Sequence, residues 1–182
     1  VLVFAQTNHT LALPMLSPKS PQATVAYPSS FFIRLLEATD TSRKQLEAVP
    51  RMDRMIHQGF KRDEYLLFLE DLYHIVWHFC PAMGSAASRL DDRYRQVRYC
   101  LYDKIAEEKG HEEWVLNDIG HIGGDVDRVR NSKPRIPVEA FIAYNYYVTE
   151  RLHPVAVLGM LYTLEVLASV YASPAPHRMR WG

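Results

Sequence analysis

The chain has 182 residues, with Lys+Arg 21 against Asp+Glu 21 and 48% hydrophobic residues. That length suits one domain, and the apolar content is enough for a core and excludes wholesale disorder. A formal net charge of zero excludes a protein whose main task is to neutralise phosphates on nucleic acid or on an anionic membrane. The two cysteines, Cys80 and Cys100, exclude a disulfide scaffold and a four-thiolate zinc site. Both lie in apolar helical surroundings and read as free thiols of a reducing, cytoplasmic compartment.

The first residue is Val, which reads as a fragment or an unusual start. Residues 1–28 carry Pro14, Pro18, Pro21 and Pro28 without a regular period, so an irregular, disordered segment without a signal peptide is expected. Ser29 or Ser30 caps a first helix to about Val49, with Phe32, Leu35, Leu36, Leu46 and Val49 on its apolar side. Residues 50–59 read as a connection. A second helix over 63–79 has a stripe of Tyr65, Leu69, Leu72, Val76 and Phe79. Pro81 and Gly84 interrupt it. A third, long helix runs from Asp91 or Asp92 to Ile119 and stops before Gly120 and the Gly123-Gly124 pair. Pro134 and Pro137 mark the next boundary. A fourth helix covers 138–153, Pro154 kinks or ends it, and a fifth covers 155–172. There is no alternating strand pattern and no repeat. The fold class is all-α, a helical domain over 29–172 whose short turns imply antiparallel neighbours. Residues 173–182 form a Pro-rich, basic, irregular tail, as if the chain stopped before its last element.

The informative residues are those that interrupt apolar faces. On the third helix the core line reads Tyr94, Val97, Leu101, Ile105, then Glu108 and His111, then Val115 and Ile119. Residues three apart on a helix project from one face. A buried carboxylate is costly unless it is paired or bound to metal, and Glu-x-x-His is the spacing with which helical bundles offer both ligands to a metal pair. The competing reading is a solvated charge run, since Glu107, Lys109, Glu112 and Glu113 flank the pair. In the fifth helix Glu165 is the only charged residue between Val155 and Ala172. A helix apolar all round is buried in a core or in a membrane. The central Glu and the small residues argue against a span, and the Glu needs a metal, a proton or an Arg such as Arg98 or Arg151. Glu70 follows the line of Leu66, Tyr73 and Trp77 at the border of the second helix's stripe. His74 and His78 share a face four residues apart, and read first as hydrogen-bonded boundary histidines. Glu150 and His153 form a second Glu-x-x-His that competes with Glu165 as a source of ligands.

Three stretches together, Tyr65-Leu-Leu-Phe-Leu-Glu-Asp-Leu-Tyr-His, Glu107-Glu-Lys-Gly-His-Glu-Glu-Trp and Leu158-Gly-Met-Leu-Tyr-Thr-Leu-Glu165, resemble the heme-oxygenase-like iron-containing redox enzymes, the di-iron oxidase and oxygenase branch of that fold. The resemblance covers about residues 30–172 and implies a heme oxygenase-like multi-helix bundle. By matching motif it implies Glu70, Glu108, His111 and Glu165 as metal ligands. The Asp/His-bearing helix that completes the family's site is expected beyond Ala172 and is not present, so His177 has no assigned role.

What the resemblance implies for function is a non-haem iron oxidoreductase holding one or two irons, with manganese as an alternative metal. Its partners would be O₂ and a small organic substrate, with no nucleic acid and no membrane span, and a homodimer is compatible with it. Tyr102, Tyr144, Tyr146, Tyr147 and Tyr162 are candidates for lining a substrate pocket. Two other classes stay open. One is a haem- or ligand-binding helical domain with His74 or His78 as axial ligand. The other is an inactive truncated relative, whose fifth helix would drive self-association.

Overall fold

The computed structural model describes residues 30–169, so the expectations for segments 1–28 and 173–182 lie outside the described residues. Among the described residues there is no strand, in agreement with the all-α expectation. The chain divides at Gly59 into two compact units.

The first unit contributes α1 (Ser30–Ala38), α2 (Asp40–Glu47) and α3 (Pro50–Gln58). The sequence predicts one helix to Val49 and then a connection, and the structure corrects both. Thr39 turns its hydroxyl back on the Leu35 carbonyl at 2.9 Å, a bond that competes with helix propagation, and the helix restarts at Asp40. Pro50 opens α3 rather than a loop, because proline's missing N–H costs nothing at the first helical position.

The second unit carries α4 (Arg62–Trp77), α5 (Phe79–Arg89), α6 (Arg95–Glu108), α7 (His111–His121), α8 (Val126–Arg130), α9 (Ile136–Tyr147) and α10 (Val157–Leu167). Pro81 and Gly84 do not interrupt the helical run. Pro81 falls in the first turn of α5, where no backbone donor is needed, and the true break is the cap at His78. The long third helix is two helices, α6 and α7, joined at Gly110, whose φ of 94° is left-handed. The fourth ends at Tyr147 and passes through a wide turn, Val148–Leu152, into extended His153. The short turn Pro154–Ala156 then precedes α10, which begins at Val157 rather than at 155, and the expected end at 172 lies outside the described residues.

Two cores hold this unit together. In the first, Tyr65, Leu69 and Tyr73 of α4 pack on Val115, Leu116 and Ile119 of α7 and on Val129 of α8. Leu69, Val115 and Ile119 have no exposed surface, and each such side chain contributes about 1.5–3 kcal/mol. In the second, Ala82, Met83, Ala86 and Ala87 of α5 meet Leu101 of α6 and Val157 and Met160 of α10. The small residues of α5 let neighbouring helices approach closely. The turn after α7 is closed by Arg62, whose guanidinium donates to the Ile122 carbonyl at 2.9 and 2.6 Å. Gly124 belongs there for lack of room: a Cβ would lie 2.6 Å from both Ile119 and Leu66.

The expectation that α10 is buried all round is corrected. Only Val157 and Met160 are buried in it, and Gly159 and Thr163 face solvent. No helix among the described residues is long and apolar enough to cross a membrane.

His74 and His78 are hydrogen-bonded boundary residues. His74 Nε2 lies 3.1 Å from the Ser132 hydroxyl, and His78 Nδ1 lies 3.1 Å from the Tyr146 hydroxyl. Burial holds both imidazoles below their ordinary value of 6.5, and the neighbouring His74 lowers His78 further. A depressed histidine means that, below pH 6.5, the unfolded chain takes up protons that the folded chain refuses. Stability is therefore full above pH 6.5 and declines as the pH falls from there toward the depressed values. Urea denaturation should give a lower midpoint at pH 5.5 than at pH 7.5, and His78→Gln should narrow that difference; an equal gap in the variant would assign the pH dependence elsewhere.

Candidate functional site

The interrupted core line converges on the junction of α6 and α7. Glu108 is the last residue of α6 and His111 the first of α7. The expected single-helix face is therefore wrong in its cause, yet the two side chains meet: His111 Nδ1 lies 2.7 Å from Glu108 Oε2. Gly110 makes this contact. Its left-handed backbone interrupts the helix over two residues and starts a new one, whose first turn carries Glu112 and Glu113 where negative charge is favoured. Trp114, one turn on, stacks its indole on the His111 ring at 4.1 Å between centroids and 29° between planes, fixing the ring's orientation.

Glu108 is buried, with 8% of the residue exposed. Its second oxygen, Oε1, accepts from Lys104 Nζ at 2.8 Å, and the same ammonium reaches Glu165 Oε1 of α10 at 2.7 Å. The partner of Glu165 is thus a lysine, not Arg98 or Arg151. Glu165 is also less buried than its apolar helix implies, since 44% of its side chain is exposed. Burial alone would raise the Glu108 carboxyl, but the hydrogen bonds from His111 and Lys104 outweigh it and hold the group below its ordinary range. Burial likewise disfavours the Lys104 ammonium, and the two carboxylates reverse this and hold it above its ordinary value.

Glu70 stands apart from this cluster. It faces α8 and is paired with Arg128, while its neighbour Asp71 is paired with Arg135. Glu150 lies within the wide turn and His153 follows it in extended backbone, and the two have different partners. Glu150 accepts from the Ser85 hydroxyl at 2.9 Å, and His153 lies edge-on to Tyr94. Of the candidate pocket residues, Tyr102, Tyr144 and Tyr147 are exposed and Tyr146 is engaged with His78. An open groove of about 380 Å³ runs along α7 and α8, bounded by Leu116, Asn117, Val126 and the Glu113–Arg130 ion pair, and none of the four expected ligands lines it.

Sequence reasoning missed Lys104, the residue that joins the cluster, because a lysine four residues before a glutamate reads as an ordinary surface pair. It also missed Asp118, 2% exposed on α7, whose charge combines with burial to push the Tyr65 hydroxyl up to about 12. Asp118 stands between Asn117 and Ile119 in the run that ends α7, with no charge pattern to mark it.

Among the described residues, no three His, Cys, Asp or Glu side chains are close enough together to hold a metal ion as they stand. The donor set nevertheless suits one. Two carboxylates and an imidazole are hard and borderline ligands appropriate to iron or manganese, and the place between the carboxylates already holds a cation, the Lys104 ammonium. Were that ammonium displaced, Glu108, His111 and Glu165 would be the residues to offer a metal those ligands.

Residues 66–181 match the family of iron-containing redox enzymes, and the chain belongs to that family. All four expected ligands lie within the match. No curated protein and no solved structure matches the chain. The family and the helical architecture agree with the sequence-based expectation.

Gly110 gives the sharpest local test. A Cβ there meets nothing within 4 Å, so Gly110→Ala is opposed only by the left-handed backbone, at roughly 1–2 kcal/mol. The variant should remain folded, melt several degrees lower, and lose the shielding of Trp114 by His111, read as a change in indole fluorescence. Unchanged stability and fluorescence would remove Gly110 as the residue that sets the junction.

Proposed function

We propose that this member of the iron-containing redox enzymes is a non-haem iron oxidase or oxygenase that activates O₂ against a small organic substrate. The observation that carries the reading is the cation shared by Glu108 and Glu165, with the His111 imidazole on the other oxygen of Glu108. Glu108, His111 and Glu165 would hold the metal, which supplies the one-electron chemistry that O₂ requires and that protein side chains lack.

The chain's own part is geometric and electrostatic. Glu108 is kept ionised despite its burial, so it is ready to ligate without first losing a proton. Its hydrogen bond to Nδ1 holds the imidazole beside the carboxylate, and Nδ1 would exchange that bond for the metal if both residues ligate the same ion. Trp114 covers one face of that ring and restricts water on that side. Glu70 joins the set only if it leaves Arg128, which makes a single well-held metal the natural state for the residues described. Cys80 and Cys100 are free thiols, consistent with a cytoplasmic setting.

The test is anaerobic loading with Fe(II), followed by desalting and iron analysis. About one iron per chain at most should be retained, and Glu108→Ala or His111→Ala should lose most of it. Slow O₂ consumption by the loaded protein should be lost in the same variants. Wild-type iron content in both variants would overturn the site. A Soret band on addition of haem, abolished by His74→Ala or His78→Ala, would favour haem binding instead.

A further inference from the structure

We propose that Lys104 is a resident cation that occupies the metal position in the metal-free protein and competes with metal for it. This rests on the iron-binding reading above and adds the exchange by which the site fills. Three features carry it. First, the Lys104 ammonium lies between two carboxylates from different helices, at 2.8 Å from Glu108 and 2.7 Å from Glu165, so one positive charge serves both. Second, an ammonium and a divalent ion cannot share that place. Like charges a few ångströms apart repel, and a metal draws carboxylate oxygens to about 2.0–2.2 Å, closer than hydrogen bonds to an intervening ammonium allow. Third, the displaced ammonium has somewhere to go. Lys104 Nζ already lies 3.4 Å from Glu107 Oε2, on a side chain that is 66% exposed. Lysine's flexible stem allows the ammonium to leave the shared position toward water while it keeps the Glu107 carboxylate as partner.

The exchange explains why a buried carboxylate persists without metal. Glu108 would otherwise be desolvated and unpaired on one oxygen. A structural clamp would be built from the same contacts, so the two roles must be separated by their effect on metal. If Lys104 only positions the carboxylates, removing it weakens or leaves unchanged the binding of metal. If it competes, removing it tightens binding.

Mn(II), which does not oxidise in air and whose free form is read by electron paramagnetic resonance, is titrated into the full chain as wild type, Lys104→Met and Lys104→Arg. Lys104→Met should bind Mn(II) at least about tenfold more tightly than wild type, melt lower without metal, and gain more in melting temperature on saturation. Lys104→Arg, which keeps the charge, should bind no more tightly than wild type. Should Lys104→Met not fold, Lys104→Gln, which keeps a hydrogen-bond donor without the charge, serves the same comparison. Equal or weaker binding by the uncharged variant, with wild-type binding still abolished by Glu108→Ala, overturns the competition and leaves the metal site standing. No Mn(II) bound by any of these proteins overturns both.

Discussion

Glu108 is the residue on which the arrangement depends. Folding takes its carboxylate almost wholly out of water, and a charge so placed is tolerated only if both oxygens are satisfied. His111 satisfies one and Lys104 the other. Each partner is delivered by a different device. Lys104 comes one helical turn earlier on α6, by the ordinary spacing of that helix. His111 comes from across a helix break, by the left-handed turn at Gly110. Lys104 then extends the network to Glu165 and so ties α10 to the end of α6.

The location of this network follows from the two cores. α6 contributes Leu101 to the core built on α5 and α10, whereas α7 contributes Val115, Leu116 and Ile119 to the core built on α4 and α8. The chain must pass from one to the other between Glu108 and His111. At such a passage the backbone is fixed on both sides by packing, and polar side chains are neither in solvent nor inside an apolar layer. A site there has rigid supports and room for charge, which suits a group that must be held ionised and in register. It also separates Glu70, whose helix turns that residue toward α8 and the Arg128 guanidinium.

Much of this was legible in the sequence. The stripe of Tyr65 and Leu69 gives α4 and its buried face, and the core line through Leu101, Val115 and Ile119 gives the faces of α6 and α7. Glu108 and His111 were visible as polar residues where apolar ones were due. The break between them was not read, although Gly110 was its signal, because the apolar line continues in phase across it. Pro81 misled in the opposite direction, since a proline's effect depends on whether it falls in a first turn or an interior one. The partner of Glu165 could not be found by periodicity at all. Lys104 meets it through tertiary packing of α6 and α10, and a local pattern carries no information on which cation will stand across a helix interface. For the same reason Asp118 was invisible: one acid at the end of an amphipathic helix is usually solvated, and only the packing of α4 against α7 buries this one.

On the proposed reading a metal would lie between Glu108 and Glu165, with His111 beside it. Crystals of the full chain grown or soaked with Mn(II) and measured at a wavelength where manganese scatters anomalously would locate it directly. The strongest anomalous peak is expected within bonding distance of the Glu108 and Glu165 carboxylates and the His111 imidazole, with the Lys104 ammonium moved away. A strongest peak at His74 and His78, or at Glu150 and His153, with none at Glu108, would contradict it.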